Sequence, residues 1–183
     1  MGGAIVGKAA LLVGRLFASS SEEVCNSVYM KNILIIKHLR AWLPLAPWVF
    51  GSGVHPSQNN ITHQHYECTR NIIYALSNIA ATSIHYIELF ISTDVFITLL
   101  HLYKLTPVSV RVEISHVLYN IFYLIHYTTI ATILRQCRPT LLEVLRDMLE
   151  EKNPIILRLA MDIICFSCDS LPSVGNLGMK KTS

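Results

Sequence analysis

The sequence predicts an all-α chain whose helices stack as repeats, and three observations lead there. Apolar residues recur at helical spacing along almost all of its 183 residues. The eight glycines and seven prolines gather at a few places instead of punctuating the chain evenly. Four apolar segments also superimpose: VGRLFA (13–18), LSNIAA (76–81), LYNIFY (118–123) and IICFSC (163–168), with positions 15, 78, 120 and 165 in register.

Composition narrows the function classes. Apolar residues make up 52% and charged ones only 15%, against roughly 25% in ordinary soluble domains, so much of the surface is expected to be buried against something. Wholesale disorder is excluded. A formal net charge of +3 and the lack of basic clusters interleaved with aromatics argue against a nucleic-acid binder. Five cysteines (25, 68, 137, 165 and 168) form an odd number without a framework of spacings, which suits reduced thiols and not a disulfide-stapled domain. Lys8 and Arg15 interrupt the first apolar run, which makes it a poor signal peptide. Val6 stands where a myristoylation signal wants Ser or Thr.

The elements follow in order. Ala4 to Ala18 reads as a helix ended by Ser19-Ser20-Ser21, and Glu22 to Leu43 as a helix pair started by Ser21 and two acids. Residues 42–64 hold Pro44, Pro47, Gly51, Gly53 and Pro56 and are expected to be a loop or insertion. Helices are then expected at His65–Ala80, Ser83–Ile91, Val95–Leu105, Val108–Leu124, Thr128–Cys137, Thr140–Glu150 and Pro154–Ser167, before a polar tail at 170–183. His116 to Leu134 is a 19-residue run without formal charge, about long enough to span a bilayer. Asn120, two histidines and three threonines make it a costly lipid-facing helix, and no membrane is expected.

The helices group in threes. The in-register positions are separated by 63, 42 and 45 residues, and the excess in the first interval matches the Pro/Gly-rich insertion. A period near 42 is that of an armadillo or HEAT repeat. One triplet cannot bury its apolar faces alone, so stacking supplies the core. The expected units are a last helix of a leading partial repeat (1–21), an armadillo repeat carrying the insertion (22–82), two further repeats (83–125 and 126–169) and the tail.

At the level of particular residues, RNIIYALSNIAA (70–81) resembles the third helix of an importin-alpha (karyopherin-alpha) repeat, where Trp-x-x-x-Asn lies in a WALSNIASG-like segment. The likeness continues in order through VGRLFASSSEEV (13–24), FISTDVFITLLHLYK (90–104), RVEISHVLYN (111–120) and EEKNPIILRLAMDIICF (150–166). Together they cover about residues 10–169 and look like the end of the sixth repeat through the ninth. The resemblance implies an armadillo-type α-solenoid whose long helices line a groove for extended basic peptides, the nuclear localisation signals of cargo proteins, in a non-enzymatic protein of cytoplasm and nucleus. It implies no cofactor.

Carried over residue by residue, Asn78 and Asn120 would grip the ligand backbone, since an amide side chain both donates and accepts. Tyr74 and His116 stand where the family has Trp, one turn earlier on the same helical face, and would flank cationic side chains. Glu113 would take a cationic end. Arg15 and Cys165 replace the sixth- and ninth-repeat Asn, and Asn71 replaces an expected acid, so the groove is recognisable but degraded. The Lys/Arg-rich N-terminal arm that recruits importin-beta and the first five or so repeats have no counterpart, so importin-beta recruitment is not expected.

Plainer readings stand beside these. The two asparagines could bridge helices, Tyr74 could be core packing, His116 a part-buried helix histidine, Glu113 a solvated acid and Arg15 a snorkelling cation. Cys165-x-x-Cys168 and the cluster of His63, His65 and Cys68 lie too far apart along the chain for four zinc ligands to converge. The chain could also be a divergent armadillo scaffold that no longer reads basic signals, and a third alternative is a small membrane protein built on residues 116–134.

Overall fold

The computed structural model describes residues 2–19, 21, 23, 34–43, 59–125 and 127–169. Among these the chain is all-α, with eight helices and no strand: α1 (Gly2–Ser19), α2 (Leu34–Trp42), α3 (Asn59–Ala80), α4 (Ile84–Ser92), α5 (Val95–Leu105), α6 (Val108–Leu124), α7 (Tyr127–Glu150) and α8 (Pro154–Asp169). The expected residues 24–33, 44–58 and 170–183, Cys25 among them, lie outside the described residues.

Local chemistry sets several boundaries. Ser83 is extended (φ −162°, ψ 147°) and its hydroxyl accepts the His85 N–H, capping α4. Asn153 does the same for α8, its Oδ1 accepting the Ile155 N–H at 2.9 Å, and Pro154 follows where a missing N–H costs nothing. Between α4 and α5 the chain turns through Asp94 in the left-handed region (φ 59°), which Asp tolerates better than most residues.

Two expectations fail by more than a residue or two at a helix end. Helix α3 begins at Asn59, inside the stretch expected to be a loop over 42–64. The last helix breaker there is Pro56, and extending an established helix costs little per residue compared with nucleating one. Thr128–Cys137 and Thr140–Glu150 are one helix, with Pro139 inside it. A proline in a helix interior costs roughly 3 kcal/mol, and α7 carries that against the packing of α5 and α8 on its flanks. The 116–134 run is divided between α6 and α7 at Ile125. Among the described residues no single helix is long and apolar enough to cross a membrane; α4 and α5 pass that test together but meet at 75°.

The long helices form a row: α1 packs on α3, α3 on α6 and α6 on α8. Behind it α2 lies on α3, α4 and α5 form a bent pair touching α3 and α6, and α7 packs on α5 and α8. The core runs between the two layers, through Ile73 and Leu76 of α3, Phe90 of α4, Phe96 and Tyr103 of α5, Leu118 of α6, Met148 of α7 and Ile163 of α8. Each such side chain contributes about 1.5–3 kcal/mol relative to exposure. Ion pairs join the layers at their edges: Lys104 of α5 reaches Glu143 of α7 at 2.6 Å, and Arg111 of α6 reaches Glu151 beyond α7 at 2.8 Å while lying over the Tyr103 ring.

Helix α1 approaches α3 closely because two glycines face it. A Cβ on Gly7 would stand 3.1 Å from the Cys68 Cα, and one on Gly14 would stand 2.8 Å from the Tyr74 ring and 3.0 Å from the Ala75 Cα. Only a missing side chain permits that spacing.

Candidate functional site

All five candidate residues lie on α3 and α6, the middle pair of the row, and all five are half-buried. The spacing of Tyr74 and Asn78 puts both on one face of α3, and His116 and Asn120 share the matching face of α6. Asn120 reaches across the helix pair: its Nδ2 donates to the Ser77 carbonyl at 2.9 Å and to the Ser77 hydroxyl at 3.2 Å. Ser77 is the residue before Asn78, so the contact falls one residue from the pairing of positions 78 and 120 expected from the sequence.

That contact also gives Asn120 a structural part, as the bridging reading expected. Asn78 donates from Nδ2 to the Tyr74 carbonyl one turn back in its own helix, at 2.9 Å. Both amides therefore have a nitrogen engaged within the protein, and the group each can turn to a ligand is chiefly its oxygen.

The flanking residues are reached by charges that the sequence analysis did not single out. Burial pushes the Glu113 carboxyl up, and Arg70 on α3 opposes that shift by favouring the ionised form. Burial pulls His116 down, and the positive charge of Arg158 on α8 pulls it further, so the imidazole is neutral at pH 7 and would not repel a cation. Tyr74 stands against α1, its ring in the space that Gly14 leaves open. Arg15 is exposed on α1, Cys165 is exposed on α8, and Asn71 is half-buried on α3.

Arg70 and Arg158 had signals in the sequence. Arg70 lies one turn before Tyr74, and Arg158 falls seven residues before position 165 as Glu113 falls seven before position 120. What could not be read was that Arg70 faces an acid across a helix pair. A cavity of about 330 Å³ opens beside it, lined by Tyr66, Glu67, Arg70, Pro107 and Ser109. Among the described residues no three His, Cys, Asp or Glu side chains gather in a way that could hold a metal ion.

Comparison with known proteins finds no matching family model, no matching curated protein and no matching solved structure.

Proposed function

We propose that this chain is an armadillo-type α-solenoid of the importin-alpha kind, without enzymatic activity, that binds extended basic polypeptides of the nuclear-localisation-signal class in cytoplasm and nucleus. The observation that supports the reading is the contact of Asn120 with Ser77, the chain neighbour of Asn78, which sets the two amide-bearing stretches of neighbouring long helices against each other. Amides on neighbouring helices can hydrogen-bond peptide groups a few residues apart along a stretched ligand, since packed helices lie about 8–10 Å apart and an extended chain advances about 3.3–3.6 Å per residue. The neutral His116 lies one turn before Asn120 and Tyr74 one turn before Asn78, with its ring against α1, and Glu113 is the acid on α6. Affinity is expected to be low, because Arg15 and Cys165 supply no amide at the two ends of the row.

A second reading, an armadillo scaffold without selectivity for basic signals, is favoured by the cations along the row. Arg70 faces Glu113 and Arg158 faces His116, so the single acid of the strip is already opposed.

A fluorescence anisotropy titration with a short lysine-rich peptide, run beside a glutamate-rich control, separates the two. The first reading expects preferential binding of the lysine peptide and a loss of about one to two decades in the Asn78→Ala/Asn120→Ala double variant, at roughly 0.5–1.5 kcal/mol per hydrogen bond. Equal binding by wild type and variant, with the variant's helical circular dichroism intact, removes the amides from the function. Equal binding of the two peptides leaves the scaffold.

A further inference from the structure

Tyr123 is the most exposed aromatic side chain among the described residues, at 62%, with Trp42 next at 38%. It stands one turn after Asn120, so Glu113, His116, Asn120 and Tyr123 share one face of α6. That face lies between two neighbouring helices, since Arg70 of α3 acts on Glu113 and Arg158 of α8 acts on His116. Tyr123 is therefore continuous with the candidate site, although the sequence did not single it out.

An exposed ring on a helix is ordinarily free to turn, but this one is held. It stacks on Tyr119, one turn earlier, with ring centroids 5.9 Å apart and planes 8° from parallel. Phe166 of α8 meets both rings, at 5.6 Å from Tyr119 and 5.5 Å from Tyr123. Because Phe166 is about equally distant from the two, it stands at the side of the stack; a ring on the far face of Tyr123 would be much farther from Tyr119. The face of Tyr123 turned away from Tyr119 is covered by neither ring.

Such a face suits a cation. The face of a phenol ring is the negative part of its quadrupole, and a Lys or Arg head over it at an exposed site gains about 2- to 5-fold in affinity. A ring already braced loses little rotamer freedom when a ligand settles on it. The charge beside it is complementary: half-buried Asp162 lies one turn before Phe166 on the same face of α8, and Arg158 lies a further turn back, beside His116. The two residues expected to flank cationic side chains are less suited to it. Tyr74 has its ring against α1, and a neutral imidazole at 116 offers a cation less than a phenol ring does.

We propose that Tyr123, braced by Tyr119 and Phe166, is the platform on which the site takes one lysine or arginine side chain of its ligand, the stem lying along the ring and the charged head on the side of Asp162. This rests on the basic-peptide reading and adds to it a specificity-determining residue and the ligand group it recognises.

The test uses a short lysine-rich peptide and a series in which each lysine in turn is norleucine, which keeps the carbon stem and removes the charge. Fluorescence anisotropy titrations compare wild type, Tyr123→Leu and Tyr123→Phe, with Asn78→Ala/Asn120→Ala alongside. Tyr123→Leu should bind the all-lysine peptide about 2- to 5-fold more weakly, and Tyr123→Phe, which keeps the aromatic face, should stay within about twofold of wild type. One norleucine peptide of the series should bind wild type and Tyr123→Leu alike, and it marks the lysine that sits on the ring. Position 123 is exposed, so helical circular dichroism should be unchanged; Tyr123→Met replaces the leucine variant if it is not. Lysine-peptide binding that survives Tyr123→Leu but is lost in the asparagine double variant overturns the assignment and leaves the peptide reading standing. A Tyr123→Leu loss of the same size for every norleucine peptide overturns it too, because the ring then acts by apolar packing and not on a cation, as does a Tyr123→Phe as weak as Tyr123→Leu. No binding of the lysine peptide to wild type removes the peptide reading, and this assignment with it.

Discussion

Replacing Asn120 by alanine tests whether the two central long helices are held in register by a polar bridge. The Nδ2 of Asn120 reaches the Ser77 carbonyl at 2.9 Å and the Ser77 Oγ at 3.2 Å, between helices 43 residues apart in sequence. The Ser77 carbonyl also accepts the Ala81 N–H at 3.1 Å, so the substitution does not orphan it. What is lost is the bridge, together with the donor to the hydroxyl of buried Ser77. At about 0.5–1.5 kcal/mol for a hydrogen bond, with a further share for the half-filled space, the cost should be about 1–2 kcal/mol. For a chain of this length that is a fall in melting temperature of about 2–8 °C.

Asn78→Ala is the internal control. Its amide bonds to its own helix, at Tyr74, and no neighbouring helix depends on it, so it should cost less than about 0.5 kcal/mol. Asn120→Asp should cost more than the alanine variant, because it sets a carboxylate oxygen against a carbonyl oxygen. Urea denaturation followed by far-ultraviolet circular dichroism measures all three. If Asn78→Ala and Asn120→Ala cost the same, or Asn120→Ala costs nothing, the bridge does not hold the register and the reasoning fails.

Two further outcomes follow from the same interfaces. Helix propensity alone says that Gly14→Ala should stabilise α1 by up to about 1 kcal/mol. The new Cβ would stand 3.0 Å from the Ala75 backbone and closer still to the Tyr74 ring, so overpacking of about 1–3 kcal/mol should win and the melting temperature should fall; a rise would show that α1 does not approach α3 so closely. His116 titrates below its ordinary value through burial and Arg158, so the unfolded chain binds the proton more readily than the folded one. Its contribution to stability is complete above the ordinary histidine range and is lost as pH falls through the lowered value. Glu113, held up by burial, works in the opposite sense around and above the ordinary carboxylate range, losing stability as pH rises through its raised value. His116→Gln should therefore flatten the decline of the urea midpoint on going from neutral to mildly acidic buffer, and an unchanged slope would count against a desolvated imidazole.

The parts of the fold that were legible in the sequence are those decided locally. Val95–Leu105 and Val108–Leu124 are read with the same bounds in sequence and structure, and α4 and α8 begin behind Ser83 and Asn153. Caps, prolines and apolar spacing act within a few residues, so a single sequence carries them. The continuity of α7 through Pro139 and the start of α3 at Asn59 were not legible, because in both places a local break signal is outweighed by neighbouring helices or by extension of a helix already formed.

The candidate site divides in the same way. Laying the sequence over itself put Asn78 and Asn120 in register, and the resemblance to importin-alpha repeats singled out Tyr74, Glu113 and His116 beside them. Which atoms those residues touch was decided by tertiary structure. Asn120 bonds across to Ser77 while Asn78 bonds back within α3, Tyr74 fills the gap over Gly14, and Arg70 and Arg158 set the charge around Glu113 and His116. The physical reason is one of range: a helix is set by contacts three and four residues apart, whereas these partners are brought together only when separate helices settle at a particular distance and lateral register.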